Sequence, residues 1–151
     1  MRPLHVTPAR ALLVATVAAT LATAYIHYTL GGLLFLLNAM GYLALAVALV
    51  VPLTFVQRLR PLVLLGLGAY TSATIIGWLI MGPYFQLAYI TKAIEVVLLG
   101  LIAAQLVLGR ADFVPSLRFA RALGWRAARR ALRRPVTVAG PDASAADTPR
   151  T

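Results

Sequence analysis

The sequence predicts an all-α, polytopic membrane protein: a four-transmembrane-helix bundle followed by a C-terminal basic amphipathic helix. Three observations predict it. The 151 residues are 61% hydrophobic and only 12% charged, and a mean hydropathy of +0.85 lies outside the range of soluble globular domains. Four apolar runs, each near the ~20 residues that cross a bilayer as a helix, are separated by short polar breaks. The arginines stand before the first run, between the second and third, and after the fourth, whereas the other two breaks carry no charge. The bias of Lys and Arg toward cytoplasmic loops then puts both termini inside the cell and the protein, multi-pass, in the cell membrane.

Composition also excludes several chemistries. The absence of cysteine removes disulfides, thiolate nucleophiles, Cys-ligated zinc and iron–sulfur clusters. Two histidines and four acidic residues leave little from which to build a metal site. A net charge of +10 would suit nucleic acid, but these arginines flank or follow apolar runs, so the expected partners are the bilayer and its anionic headgroups at the inner leaflet, not nucleic acid.

The first span is expected over residues 11–29, after the polar start MRPLHVTPAR. A cleaved signal peptide is the rival, since a basic start, an apolar centre and Ala22-Thr23-Ala24 as a small-residue site are all present. Against cleavage, Thr16, Thr20, Thr23 and His27 fall at i, i+4, i+7 and i+11, one stripe of a helix packed on neighbours. The Tyr28–Gly32 turn leads back into a second span over 33–55, giving a tight antiparallel hairpin. Asn38, Gly41, Ala44 and Ala48 lie near one face of that span, where small residues let backbones approach. Pro52 is expected to bend or end it.

The basic loop Gln57-Arg58-Leu59-Arg60-Pro61 precedes a third span over 62–81, with Pro61 suited to a first helical turn. Gly66, Tyr70, Ala73 and Gly77 form a small-residue stripe on it, and Trp78 near its end reads as an interfacial residue. Gly82-Pro83 breaks the helix, and the fourth span follows over 84–108. Inside it stand the only lysine of the chain, Lys92, and the only acid among the apolar runs, Glu95. Three residues apart, they share one helical face. By rise alone Lys92 lies about 12 Å and Glu95 about 16 Å below Tyr84, near the midplane. There, each ionised group costs about 2.5–3.5 kcal/mol, so such residues face a bundle interior or a wet cavity. Lysine can extend toward the interface. Glu95 most needs a partner.

After Pro115, Ser116 is a candidate N-cap for a helix over 116–134. Leu117, Ala120, Leu123, Ala127, Ala128, Ala131 and Leu132 share a broad apolar arc, with most of the membrane-surface arginines, Arg118, Arg121, Arg126, Arg129, Arg130, Arg133 and Arg134, opposite. The pattern predicts a helix on the inner leaflet; a nucleic-acid or protein-docking arm is the alternative. The tail 136–151, rich in Ala, Asp, Pro and Thr, reads as disordered.

The candidate ligand-binding or intramembrane polar cluster is therefore His27, Asn38, Tyr70, Tyr84, Tyr89, Lys92 and Glu95. Each has a plainer reading: Lys92 and Glu95 as a neutralising pair that fixes register, His27 as an interfacial hydrogen-bonding residue, Tyr84 and Tyr89 as belt aromatics, Asn38 and Tyr70 as interhelical contacts. A bis-histidine haem lacks its second membrane histidine, His5 being on the opposite side. Zinc hydrolysis wants three protein ligands. No glycine-rich phosphate loop stands between strand and helix, and no serine nucleophile is paired with a base. No metal or cofactor is expected. The sequence favours a binding or transport module, alone or as a homo-oligomer. An accessory subunit of a larger membrane complex is the alternative; an intramembrane enzyme or quinone-binding redox subunit comes third.

Tyr25-Ile26-His27 with Gly31, Asn38-Ala39-Met40-Gly41-Tyr42, Gly68-Ala69-Tyr70-Thr71, Trp78 and Tyr89-Ile90-Thr91-Lys92-Ala93-Ile94-Glu95 resemble a family of small four-helix integral membrane proteins of archaea and high-GC bacteria. The resemblance covers roughly residues 10–110 and implies a four-helix fold but no activity. Relatives in that family often carry Asp before the lysine and Gln at the glutamate. Thr91 and Glu95 depart from that pattern, moving the acid by one helical turn while the pair stays balanced.

Overall fold

The computed structural model describes residues 7–82 and 84–132. Proline and glycine punctuate the chain into its helices. Pro8 opens α1 (Pro8–Leu30), at a first-turn position where its missing N–H removes no helical bond. Gly31 and Gly32 end α1 at φ +71° and +81°, a left-handed region open to residues without Cβ, and turn the chain straight into α2 (Leu33–Val50). Pro52 ends α2 five residues short of the expected 55. The residue before a proline is held out of the helical region, and Val51 accordingly lies at φ −58°, ψ 124°. Residues 54–58 resume as a separate short helix, α3 (Thr54–Arg58). α4 (Arg60–Met81) and α5 (Gln86–Leu108) follow. A 3₁₀ turn at Arg110–Asp112 then leads into α6 (Phe113–Leu132).

Ser116 is not the cap of α6. The helix starts at Phe113, and the Ser116 hydroxyl, inside it, donates to the Asp112 carbonyl at 2.6 Å. Pro115 is accommodated as the third helical residue because the first four N–H groups of a helix have no internal acceptor. The expected tail 136–151, together with Arg133 and Arg134, lies outside the described residues.

No strand occurs among the described residues, and α1, α2, α4 and α5 are each long and apolar enough to cross a membrane. They close a ring in which α1 packs on α2 and α5, and α4 packs on the same two helices. The buried positions explain this order. They are Thr16, Thr20, Thr23, Ala24 and His27 on α1; Ala39, Tyr42, Ala46 and Leu49 on α2; Leu64, Leu67 and Thr71 on α4; and Ala88, Thr91, Glu95, Leu98 and Ile102 on α5. Apart from Ala24, which adjoins Thr23, every series alternates three- and four-residue steps, the spacing with which helices interdigitate around a common seam. Toward the α3 end the seam is mainly aliphatic, through Leu49, Leu64, Leu67, Leu98 and Ile102, with Gln105 Nε2 donating to the buried Thr16 hydroxyl. Toward the Gly31 and Gly82 end it is polar.

The small-residue stripes do not form the interfaces expected of them. Gly66, Ala73 and Ala44 are exposed, and a Cβ on Gly77 would meet nothing. Gly41 alone serves close approach, since a Cβ there would overlap the Tyr70 hydroxyl. The inward face of α6 also differs from the expected arc. Ser116, Phe119, Ala120 and Leu123 turn toward α3 and α4, while Leu117, Ala127 and Ala128 are exposed.

Candidate functional site

Glu95 is the centre of the polar half of the seam, with no exposed surface. Its Oε2 accepts from Lys92 Nζ at 2.7 Å and from Thr74 Oγ1 at 3.1 Å. The lysine sits one turn earlier on α5, and its ammonium also donates to the Thr74 carbonyl at 3.3 Å. Of its three protons, two are thus used. Thr74 Oγ1 has a single proton and three neighbours: Glu95 Oε2, the Thr71 carbonyl at 2.8 Å and Tyr42 Oη at 2.9 Å. Two of these are pure acceptors. Tyr42, wholly buried on α2, is therefore the donor to Thr74. α4 and α2 thereby support the carboxylate in series.

α1 supplies the fourth contact. His27 Nδ1–H donates to the Thr23 carbonyl at 2.8 Å, which fixes the ring and leaves Nε2 at 3.8 Å from Glu95 Oε1. Oε1 is fully buried and has no hydrogen-bond partner. A neutral imidazole and an ionised carboxylate would present lone pairs to each other across that gap; a proton on either atom, or a donor between them, would resolve it. Every helix of the ring thus reaches one carboxylate, which ties the site to the assembled bundle.

A cavity of about 460 Å³ opens beside this cluster, toward the Gly31 and Gly82 end. Lys92, Thr74, His27, Asn38 and Tyr70 supply its polar lining; Leu34, Phe35, Trp78, Met81 and Phe85 supply apolar walls. Glu95 does not border it. The Lys92 side chain, 12% exposed, is the link between the buried acid and the open space.

The structure brings together His27, Lys92 and Glu95, with Asn38 and Tyr70 on the same cavity. The Tyr70 hydroxyl donates to the Asn38 carbonyl at 3.3 Å, and its ring meets that of Tyr42 edge-on at 5.0 Å. Tyr84 and Tyr89 stand apart from the cluster. Both are more than half exposed and pack edge-on against Trp78, at 5.4 and 5.3 Å, near the mouth. Sequence reasoning missed Tyr42 and Thr74 as members of the site. The available signal was the three-and-four stepping of Leu64, Leu67, Thr71, Thr74 and Trp78 on α4, obscured by the competing glycine stripe. Arg118, Arg121, Arg126, Arg129 and Arg130 are exposed along α6, far along the chain from the cluster.

Chemically the arrangement offers a cation with a spare donor, a shielded carboxylate, and hydroxyl and imidazole groups at the inner end of an apolar vestibule. Among the described residues no three His, Cys, Asp or Glu side chains come together as metal ligands. No family model, curated protein or solved structure matches the chain.

Proposed function

We propose that this is a multi-pass protein of the cell membrane, both termini cytoplasmic, that binds a small polar or anionic ligand such as a lipid headgroup in an outward-opening cavity ending at Lys92. The membrane part rests on the outward faces of the four long helices. Between 17% and 28% of each apolar window is buried, and residues such as Leu33, Leu34, Ile80 and Met81 are more than 70% exposed. Apolar surface on this scale calls for lipid or protein cover. Orientation follows from the arginines: Arg58 and α6 at one end, the uncharged Gly31 and Gly82 turns at the other.

The observation that carries the binding reading is the Lys92 ammonium at the inner end of the cavity. Its charge is balanced by a carboxylate the ligand cannot reach, and one proton remains for an incoming acceptor. The volume lies within the range of small-molecule sites, and apolar walls with a few convergent polar groups are the usual make-up of such sites. A determination of the structure in lipid nanodiscs tests it. Density within hydrogen-bonding distance of Lys92 Nζ is expected; a cavity filled only by side chains would contradict the proposal.

An accessory or structural subunit remains the second reading, favoured by the direct 2.7 Å Lys92–Glu95 contact and by the sealing of Glu95 from the cavity. Under it, replacing both charges by apolar residues restores function as well as folding. Under the binding reading the double variant folds and stays inactive in whatever phenotype deletion of the gene produces.

A further inference from the structure

The opposite end of the bundle carries a second, larger cavity, of about 1010 Å³, between the start of α1, α3, the start of α4, the end of α5 and α6. Two arginines line it. Arg60, the first residue of α4, is half-buried. Its Nε is buried without a hydrogen-bond partner, and its Nη2 reaches only the Leu49 carbonyl, at 3.5 Å. Arg58 lies with its guanidinium 5.4 Å from the centre of the Phe119 ring, so α6 positions it from below. Neither forms an ion pair among the described residues. Asp112, exposed on the rim, is the one acid lining the cavity. Leu12, Leu64 and Leu106 continue the wall away from the arginines along the apolar helices.

A half-buried guanidinium whose buried Nε–H is unmet is matched by an oxyanion that accepts two of its N–H groups in parallel. The aliphatic wall asks for a chain attached to that oxyanion. We propose that this cavity binds the phosphate group of an anionic lipid, with Arg60 and Arg58 on the phosphate and an acyl chain along Leu12, Leu64 and Leu106. In the proposed orientation the arginines stand at the level of the inner-leaflet headgroups, where basic pockets between spanning helices recruit such lipids. α6 closes the site from the cytoplasmic side. This site is distinct from the outer cavity and shares none of its lining residues.

Native mass spectrometry of the purified full-length protein, released from detergent after titration with dioleoyl-phosphatidylglycerol or dioleoyl-phosphatidylcholine, tests it. Phosphatidylglycerol should bind more tightly, and Arg58→Gln/Arg60→Gln should weaken it by roughly thirtyfold, from about 1 kcal/mol per arginine. Asp112→Asn should strengthen it. Arg126→Gln/Arg130→Gln, on the exposed face of α6, should leave it unchanged. If the first double variant fails to fold, Arg58→Gln alone, at an exposed residue, must weaken binding in the same direction. Equal binding of the two lipids, or equal loss from the α6 pair, would overturn the proposal. Displacement of the lipid by millimolar inorganic phosphate would overturn the lipid assignment in favour of a free-phosphate site.

Discussion

Removing one charge of the Lys92–Glu95 pair should destabilise the bundle far more than removing both. In Lys92→Met the carboxylate keeps only its bond from Thr74, and Oε1 keeps none, in a place with no exposed surface. Uncompensated buried charge costs about 3–5 kcal/mol. Glu95→Leu strands an ammonium that is 12% exposed and borders the cavity, so hydration should hold its cost near the lower end, about 3 kcal/mol. Lys92→Met/Glu95→Leu removes both charges, keeps nearly the same volume, and should cost about 1 kcal/mol, from the lost Thr74 contacts. The expected coupling is therefore about 5–7 kcal/mol, the excess of the summed single costs over the double. Equilibrium unfolding of the four proteins in mixed micelles, titrated with dodecyl sulfate, measures it. Additivity within about 0.5 kcal/mol would show that the two groups do not act as a pair and would refute the reasoning.

Gly41→Ala should destabilise by about 1–3 kcal/mol in the same titration, because its methyl displaces Tyr70 and breaks the bond to the Asn38 carbonyl. Gly77→Ala meets nothing and should stabilise by up to about 1 kcal/mol through helix propensity. Tyr42→Phe removes the donor to Thr74 and should cost about 1–2 kcal/mol. That loss should largely vanish in Thr74→Val, which removes the acceptor as well.

How much was legible in advance depended on whether a helix carried marked residues. On α1 the threonines and His27 stand out from their apolar surroundings, and their spacing gave the buried stripe directly. On α5 Lys92 and Glu95 did the same. α2 and α4 are apolar nearly all round, so hydrophobic periodicity says little about which face turns inward. The rule that small residues mark interfaces then pointed to Gly66, Ala73 and Gly77, whereas Leu64, Leu67 and Thr71 are buried. Thr74, in step with Leu64, Leu67 and Thr71, was obscured by the same competing stripe. Its hydroxyl matters through what α2 and α5 bring to it, Tyr42 and Glu95, and no spacing within α4 names those partners. The end of α2 at Pro52 was readable as a local event, since proline acts on its own neighbour. The separate α3 behind it depended on packing against α4 and α6.

The central claim, a cavity that opens outward and ends at the Lys92–Glu95 pair, is most directly tested by cysteine accessibility. The chain has no cysteine of its own, so single introduced thiols report alone. In right-side-out vesicles, Asn38→Cys, on the cavity, should react rapidly with a membrane-impermeant methanethiosulfonate added outside. Val96→Cys, exposed on α5 and facing lipid in the proposed membrane arrangement, should not react, and Arg58→Cys should react only after the vesicles are opened. Labelling of Asn38→Cys no faster than Val96→Cys, or only from the side that labels Arg58→Cys, would contradict the account.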